Sequence, residues 1–215
     1  IISQSLNEKL QPLAFVHPQK ALAHAALAEI YFQKGDFTRA ENESKQSLAI
    51  LESVVGTEDP SLLPPLATIG GVYAARARYA EAERRFSRLI VLASRVLTPE
   101  HPLVAVNQSR LAAIYLEKGD AEKALPMAEG AYQRCLEKLT ADHPLTAEAA
   151  TTLGRTYAAL DRRREARKLL EGAVETNRKF FGRSSARTAS SLAALASLSD
   201  TARSLAAGAS QYREA

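Results

Sequence analysis

The sequence predicts an all-α protein, a solenoid of antiparallel helix pairs, because three residue columns recur at one fixed spacing. Proline, tyrosine and alanine each return every 42 residues along a chain of 215 residues. Three independent columns in one register are typical of stacked helical repeats, in which each unit packs on its neighbours. The columns are Pro18, Pro60, Pro102 and Pro144; Tyr31, Tyr73, Tyr115 and Tyr157; and Ala40, Ala82, Ala124 and Ala166.

The spacing divides the chain into four full units with a partial unit at each end. The last unit is degenerate, because its proline and tyrosine columns hold Ala186 and Ser199. No linker, low-complexity tract or second domain interrupts the pattern, so we expect a single array over residues 1–215. The predicted ranges are 1–16 for a partial second helix, 17–58, 59–100, 101–142 and 143–184 for the full units, and 185–215 for the degenerate C-terminal unit or cap.

Each full unit is predicted to form two antiparallel helices, called helix A and helix B below. In the first unit His17 and Pro18 begin helix A, since proline is tolerated in the first turn of a helix. Apolar residues then recur every three or four positions, as a helix requires. The Lys-Gly-Asp turn at 34–36 ends helix A and caps helix B, which begins at Phe37. The loop at 56–59 leads to the next unit.

Prolines predict local departures from regular helices, and small residues predict where the two helices of a pair cross. Pro64 and Pro65 remove two helical donors, so helix A of the second unit should start late or kink. Pro126 lies six residues after the expected cap Asp120 and should bend helix B of the third unit. A small residue is expected in each unit where the two helices cross closely. These small residues are Ala28, Gly70, Ala112 and Gly154.

Composition and charge argue against a membrane-spanning or disulfide-bonded protein. Hydrophobic residues make up 46% of the chain, but no apolar run approaches the roughly 18 residues of a membrane-spanning helix. The net charge is +4, from 28 Lys and Arg against 24 Asp and Glu. The single cysteine, Cys135, excludes an intrachain disulfide and fits a reducing compartment, so a cytoplasmic location is predicted. Because the chain starts without Met, we expect a piece of a longer protein or a mature form, and its Ala- and Arg-rich composition favours a bacterial source.

No catalytic, metal-binding or cofactor-binding residue is predicted. His17, His101 and His143 share one column, and equivalent positions in successive units lie about 10 Å apart, too far to bind one metal ion. These histidines are expected in turns, and His24 is expected to pack with a hydrogen bond. Cys135 falls in an apolar column and should be buried and inert. Phosphate-binding, zinc-protease and paired-cysteine motifs are absent, so the chain is not expected to be an enzyme or to need a cofactor.

Two basic clusters bear on nucleic-acid binding. One lies at residues 162–164, at the start of helix B of the fourth unit, and the other runs from Arg76 to Arg88. No aromatic residues interleave with the first cluster, and Glu81 and Glu83 balance the second at helical pairing distance. Contact with nucleic acid or acidic lipid is one interpretation. Solvated helix faces are the favoured one, so no nucleic-acid partner is expected.

The pattern Leu-(Ala/Gly)-x-x-Tyr, followed by Gly-Asp-Phe-x-x-Ala, resembles the tetratricopeptide repeat. The 42-residue spacing is similar to the form found in kinesin light chains and many bacterial repeat proteins. Units of that form begin with Asp or His followed by Pro, as at 17–18, 59–60, 101–102 and 143–144 here. The resemblance covers roughly residues 17–182. It implies a right-handed superhelical solenoid whose concave side is lined by helix A.

The resemblance implies that a partner binds in the concave groove. The paired Asn residues that kinesin light chains carry before the Leu of helix A are missing here, and so is the Lys, Asn and Arg set of chaperone-binding repeats. A weakly apolar groove of small residues remains, in which Gly70 and Gly71 would permit close approach of a backbone. The expected groove residues are Leu22, Ala25, Glu29, Phe32, Ala67, Gly71, Ala74, Ser109, Ala113, Leu116, Thr151, Arg155 and Ala158, with Ser197 in the same row as Glu29.

The expected function is a protein-interaction scaffold or adaptor that binds a peptide or helical segment, with another protein or peptide as its partner. Two alternatives stay open. The array could be a sensory or regulatory module whose superhelix responds to a peptide or small ligand. The groove could also be filled by a missing terminal segment or a neighbouring copy. The ends of the array are candidate surfaces for self-association.

Overall fold

A computed structural model describes residues 18–198, and all regular secondary structure within that range is helical. Residues 1–17 and 199–215 lie outside it. The partial helix predicted at 1–16, His17 and Ser199 therefore fall outside the described residues. The fold divides into two compact units, which comprise residues 1–99 and 100–215. No helix within residues 18–198 combines the length and apolarity needed to cross a membrane.

The first compact unit contains two antiparallel helix pairs. Helices α1 and α2 form the first pair, and α3 and α4 form the second. Helix α3 packs against both members of the first pair as well as against its own helix B, α4. The elements are α1 at Pro18–Gln33, α2 at Phe37–Val54, a 3₁₀ turn at Pro60–Leu62, α3 at Leu63–Ala75 and α4 at Tyr79–Val96.

The second compact unit repeats this arrangement and adds a further helix A. Helices α5 and α6 pair, α7 and α8 pair, and α7 also packs against α5 and α6. The final helix, α9, extends from 186 to 198, the last described residue. The other elements are α5 at Pro102–Glu117, α6 at Ala121–Lys138, α7 at Pro144–Ala159 and α8 at Arg163–Phe181.

At several helices a side chain that precedes the helix accepts a hydrogen bond from a free backbone donor of the first turn. Asp36 accepts a hydrogen bond from the backbone N–H of Arg39, three residues into the first helix B. His101 and His143 do the same for helix A, because each Nδ1 accepts from the backbone N–H two residues later at 3.1 Å. The predicted placement of both histidines in turns is confirmed.

The paired prolines delay the second helix A, as predicted. Residues Pro60–Leu62 form one 3₁₀ turn, and the α-helix begins only at Leu63. Pro64 and Pro65 then occupy the first helical turn, where their missing N–H groups would have had no helical partner. Helix α6 runs without interruption through Pro126, so that proline does not divide it.

The small residues lie where the two helices of a pair touch. A Cβ atom on Gly70 would come within 3.1 Å of the Phe86 ring. A Cβ atom on Gly154 would come within 2.7 Å of Leu170 Cγ, closer than carbon atoms approach without a shift. Ala28 occupies the same column and is fully buried. The predicted close crossing is therefore confirmed, and the partner on helix B is identified.

Candidate binding surfaces

In the first compact unit, the predicted groove residues of α1 and α3 contact each other. A Cβ atom on Gly71 would lie 2.9 Å from Phe32 Cζ, so the space above this glycine holds the Phe32 ring. That ring also lies 6.0 Å from the Phe37 ring, centroid to centroid. Gly70 faces Phe86 in the interior. The expectation that these two glycines leave room for a partner's backbone is corrected, because aromatic side chains of the chain itself fill it.

Other predicted residues of this unit remain on the surface. Glu29 is exposed and accepts hydrogen bonds from Thr68 Oγ1 at 3.1 Å and from Gln33 Nε2 at 2.8 Å. Leu22 is 53% exposed, whereas the Ala25 side chain is buried. Intermediate exposure is found at Ala67, Gly71 and Ala74.

In the second compact unit, three predicted residues meet around one pocket. Leu116 of α5 and Arg155 and Ala158 of α7 line a depression of about 300 Å³. Helix α9 closes one side with Ser197, which the sequence places in the same row, and with Leu198. The Arg155 guanidinium donates to the carboxylate of Glu117 at the rim. The pocket therefore combines an apolar floor with a charged edge.

The remaining predicted members of this unit are less accessible. Ser109 is fully buried, and its hydroxyl finds no hydrogen-bond partner within residues 18–198. Thr151 is partly buried and donates to the backbone oxygen of Ala147 at 2.8 Å. Ala113 has intermediate exposure. Ser109 in the second unit and Ala25 in the first serve helix packing, so neither side chain is open to a partner.

Glu41 on α2 is a buried carboxylate at which three cations meet. Its oxygens accept from Lys45 Nζ at 2.6 Å, Arg76 Nη1 at 2.9 Å and Arg78 Nη1 at 3.2 Å. Burial raises the pKa of Glu41, but the hydrogen bonds and charges of Lys45 and Arg78 outweigh it, so the pKa lies below its ordinary value. Arg78 also pairs with Glu81 at 2.8 Å, as predicted. Three arginines of this basic cluster, Arg76, Arg78 and Arg88, thus pair with carboxylates of the preceding helix B.

The basic turn at residues 162–164 is also paired with the chain itself. The Arg162 guanidinium lies 3.8 Å from the centroid of the Tyr157 ring and donates to Glu165 at 2.6 Å. Arg163 Nε donates to Asp161 at 2.7 Å. These pairs hold two of the three guanidinium groups against neighbouring side chains, which fits a solvated helix start.

The remaining candidates for chemistry are packed. His24 Nδ1 lies 2.6 Å from the Glu43 carboxylate, which confirms a hydrogen-bonded histidine. Cys135 is fully buried, and burial together with the charge of Glu148 raises the pKa of its thiol to about 11. The thiol is therefore protonated at neutral pH and unreactive. Within residues 18–198, no three His, Cys, Asp or Glu side chains come together as metal ligands would.

Sequence reasoning missed a larger cavity, of about 840 Å³, that lies between α6 and α8 with α7 as its floor. Residues of α7 other than Arg155 and Ala158 line it, so it is distinct from the pocket at Leu116. A signal was present in the sequence. Gly130 and Gly172 occupy one column of helix B in which the first two units carry larger residues, Gln46 and Arg88.

Comparison with known proteins identifies the repeat. A family model described as the tetratricopeptide repeat matches residues 19–90, 61–137 and 103–179. A putative kinesin light chain of Podosopora anserina with nearly identical repeats is 25% identical, with a TM-score of 0.64 over 92% of this chain and 93% of that one. No curated protein matches the sequence.

Two more distant structures share the fold. BtubC (BKLC) from P. vanneervenii is 16% identical, with a TM-score of 0.65 over 77% of this chain and 66% of that one. The apo form of RapI is 15% identical, with a TM-score of 0.64 over 82% of this chain and 62% of that one. At these identities the likeness concerns architecture.

Proposed function

Because the chain belongs to the tetratricopeptide repeat family, we propose that it is an adaptor that binds a peptide or helical segment of another protein on its helix A surface. Proteins built from these repeats are generally non-catalytic scaffolds that bind other proteins. The proposal adds the kind of ligand and the surface. It also assigns no catalytic role to the chain, since Cys135 is held protonated and buried.

One observation carries the proposal, namely the pocket shared by α5, α7 and α9. Leu116, Ala158 and Leu198 give it an apolar floor, and the guanidinium groups of Arg155 and Arg163 stand at its edge. Its volume of about 300 Å³ is at the lower end of ligand pockets and suits one or two apolar side chains. Both arginines are in exposed ion pairs, which exchange at little cost. A segment with an apolar anchor beside a carboxylate would match this pocket.

The compartment is part of the same proposal. The sequence holds one cysteine, and that residue is buried as a free thiol. A chain without disulfides is typical of reducing compartments, which supports a cytoplasmic location.

The test is a substitution that places a charge on the pocket floor. Peptides are first selected from a displayed random library against the wild-type protein, and their Kd values are measured by fluorescence anisotropy. Ala158→Glu should weaken the selected peptides by at least about tenfold, which corresponds to about 1.4 kcal/mol. Ala189→Glu is the matched control, because residue 189 is exposed on α9 outside the pocket. Equal affinity in the two variants, with circular dichroism unchanged, would exclude this surface.

A further inference from the structure

The cavity between α6 and α8 lies on the helix B side of the second compact unit. Its walls are two successive B helices, and its floor is formed by Thr146, Ala147, Ala150, Leu153 and Tyr157 of α7. Along α8 the lining extends from 165 to 179, which is about 21 Å of helix. The cavity is therefore an elongated cleft of about 840 Å³.

The first compact unit shows how the cleft arises, because its equivalent positions carry large side chains. Leu62, Leu66, Leu89 and Leu92 are buried there, and Arg88 forms an ion pair with Glu52 at 2.5 Å. In the second compact unit the positions 84 residues later hold only small residues. The exchanges, first unit to second, are Leu62 to Thr146, Leu63 to Ala147, Leu66 to Ala150, Arg88 to Gly172, Leu89 to Ala173 and Leu92 to Thr176.

The two glycines in the cleft have no structural reason to be glycine. Both lie in the middle of a helix, where glycine is less favourable than every other residue except proline. A Cβ atom on Gly172 would meet nothing within 4 Å, and one on Gly130 would meet only the flexible end of Arg134. The two helices thus accept an unfavourable residue at the positions where a side chain would narrow the cleft.

Polar groups along the cleft are available to a ligand. The Thr176 residue is only 6% exposed, yet its hydroxyl and that of Tyr132 form no hydrogen bond within the described part of the chain. Glu175 also lines the cleft and is in no ion pair among residues 18–198, whereas Asp142 lies 3.8 Å from Lys179. The Thr176 hydroxyl and the exposed Glu175 carboxylate line the cleft and can accept hydrogen bonds from a bound group.

We propose that this cleft binds an amphipathic segment of a partner protein, which inserts a row of apolar side chains and presents a Lys or Arg to Glu175. The length of about 21 Å matches roughly four turns of helix and exceeds what one small metabolite spans. Leu153, Leu169 and the Tyr132 ring supply apolar contact. Four carboxylates and two ammonium groups line the cleft, and Arg162 pairs with Glu129 and Glu165. The resulting net charge of −1 favours a basic segment over an acidic one. This site is separate from the helix A pocket at Leu116.

The experiment uses two synthetic helical peptides of 16 residues with leucine at every third or fourth position. One carries lysine on its remaining face, and its twin carries glutamate. Binding to the whole chain is measured by fluorescence anisotropy for the wild type, Gly172→Leu and Arg164→Leu. Residue 164 is exposed on α8 outside the cleft, so Arg164→Leu is the control for an added leucine.

We expect the lysine peptide to bind the wild type and Arg164→Leu alike, and Gly172→Leu at least about tenfold more weakly. Glu175→Gln should weaken the lysine peptide about threefold or more. Because leucine replaces a mid-helix glycine, the Tm of Gly172→Leu should rise by roughly 2–4 °C while binding falls. A rise in stability together with a loss of binding is a result that damage to the fold cannot produce.

Several results would overturn the proposal. Undiminished binding to Gly172→Leu places the peptide elsewhere, and equal binding of both peptides removes the role of Glu175. If neither peptide binds while the dye 8-anilinonaphthalene-1-sulfonate binds the wild type but not Gly172→Leu, the cleft takes a small molecule and the protein segment is rejected. If Gly172→Leu and Gly130→Leu both lower the Tm, the cleft is not open space and the proposal fails.

Discussion

In the first and third helix pairs the turn between the two helices contains glycine followed by aspartate, whereas the second and fourth pairs carry arginine in place of that aspartate. The residue before the cap has a left-handed φ in all four turns. Gly35 and Gly119 adopt it at no steric cost, while Ala77 at +56° and Asp161 at +59° are strained there. The aspartates accept a backbone hydrogen bond that the arginines cannot. The same turn is therefore built in two ways that alternate along the chain.

Between the two kinds of turn, the charges at the cap and three residues later are interchanged, but a cation contacts the column tyrosine in both. Three residues after each cap stands a residue of opposite charge, and in every pair one cation of the two lies over the ring of the column tyrosine. The combinations are Asp36 and Arg39 over Tyr31, Arg78 and Glu81 over Tyr73, Asp120 and Lys123 over Tyr115, and Arg162 and Glu165 over Tyr157. The cation and the ring attract whichever position supplies the charge.

The helix crossing alternates in the same way. In the second and fourth pairs glycine faces a large residue, Phe86 or Leu170. In the first and third pairs Ala28 and Ala112 occupy the glycine column, and the column of the large residue holds Ser44 and Ala128. A large side chain on helix B is thus found only where helix A carries glycine, whereas alanine on helix A faces a small residue. Two repeats, or 84 residues, are the true period, and each compact unit contains one such pair.

The strongest way to break this comparison is to alter the crossing of the fourth pair. Leu170 is fully buried, so Leu170→Ala should cost about 2–4 kcal/mol in the free energy of unfolding. Gly154→Ala alone should cost about 1–3 kcal/mol, because the new methyl group meets Leu170 Cγ at 2.7 Å. In the double variant the second change should become neutral or stabilising, since the site then has the alanine pair of the third unit. Urea unfolding measures the cycle, and additive costs would contradict a steric coupling between residues 154 and 170.

The next largest effect on stability is expected at Glu41, whose carboxylate pairs with Arg78 of the second turn. Glu41→Ala should cost about 1–3 kcal/mol, because three hydrogen-bonded cations lose their acceptor. The pKa of Glu41 is lowered in the folded state, so its contribution is complete above the unfolded pKa of about 4.3 and is lost as the pH falls through the folded value. The wild type should therefore lose more stability than Glu41→Ala between pH 5 and pH 3 on thermal melting. Parallel curves for the two proteins would exclude this linkage.

Much of this architecture could be predicted from the sequence, since proline, tyrosine and alanine columns report local rules of helix entry and pairing. The late start before Leu63 and the caps at His101 and His143 follow from such rules. The filled space above Gly71 could not be predicted, because it depends on which rotamer the Phe32 ring adopts across two helices. A groove row assigned by register alone ignores that contact.

The cleft and the 84-residue period were present in the sequence but hidden by the stronger columns. Residues that recur in all four repeats define the 42-residue spacing. Columns that alternate between repeats, or that differ between the two compact units, do not contribute to that spacing and are harder to recognise. Comparing Arg88 with Gly172, or Leu66 with Ala150, would have shown that the second half lacks bulk at the same positions. The sequence alone does not show whether the neighbouring helices move together and fill the space that the smaller side chains leave.

The left-handed position of the turn allows a smaller, reciprocal test. Gly119→Ala should cost about 1 kcal/mol, because nothing lies within 4 Å of the new Cβ atom and only the φ of +83° opposes it. Ala77→Gly should stabilise by about 0.5 kcal/mol, since relief of strain at φ +56° is partly offset by the greater freedom of glycine in the unfolded chain. Chemical denaturation of both variants measures their free energies of unfolding relative to the wild type. Changes of the same sign would show that the turns do not share one conformation.

The smallest effect is expected from converting the fourth turn to the chemistry of the third. Arg162→Asp alone places a third carboxylate beside Glu165 and Glu129, and it removes the cation from Tyr157. The Tm should fall, by less than for Gly119→Ala because these charges are solvent-screened. In both variants the aspartate can accept from the backbone N–H of residue 165, as Asp120 accepts from Lys123 at 3.0 Å. Adding Glu165→Lys should recover most of the loss, since it removes one of the crowded carboxylates and restores a cation beside the aspartate. The new lysine can cover Tyr157 as Lys123 covers Tyr115 at 3.9 Å. If the double variant is no more stable than Arg162→Asp, the two turns are not interchangeable solutions, and the fourth turn depends on features that the third does not supply.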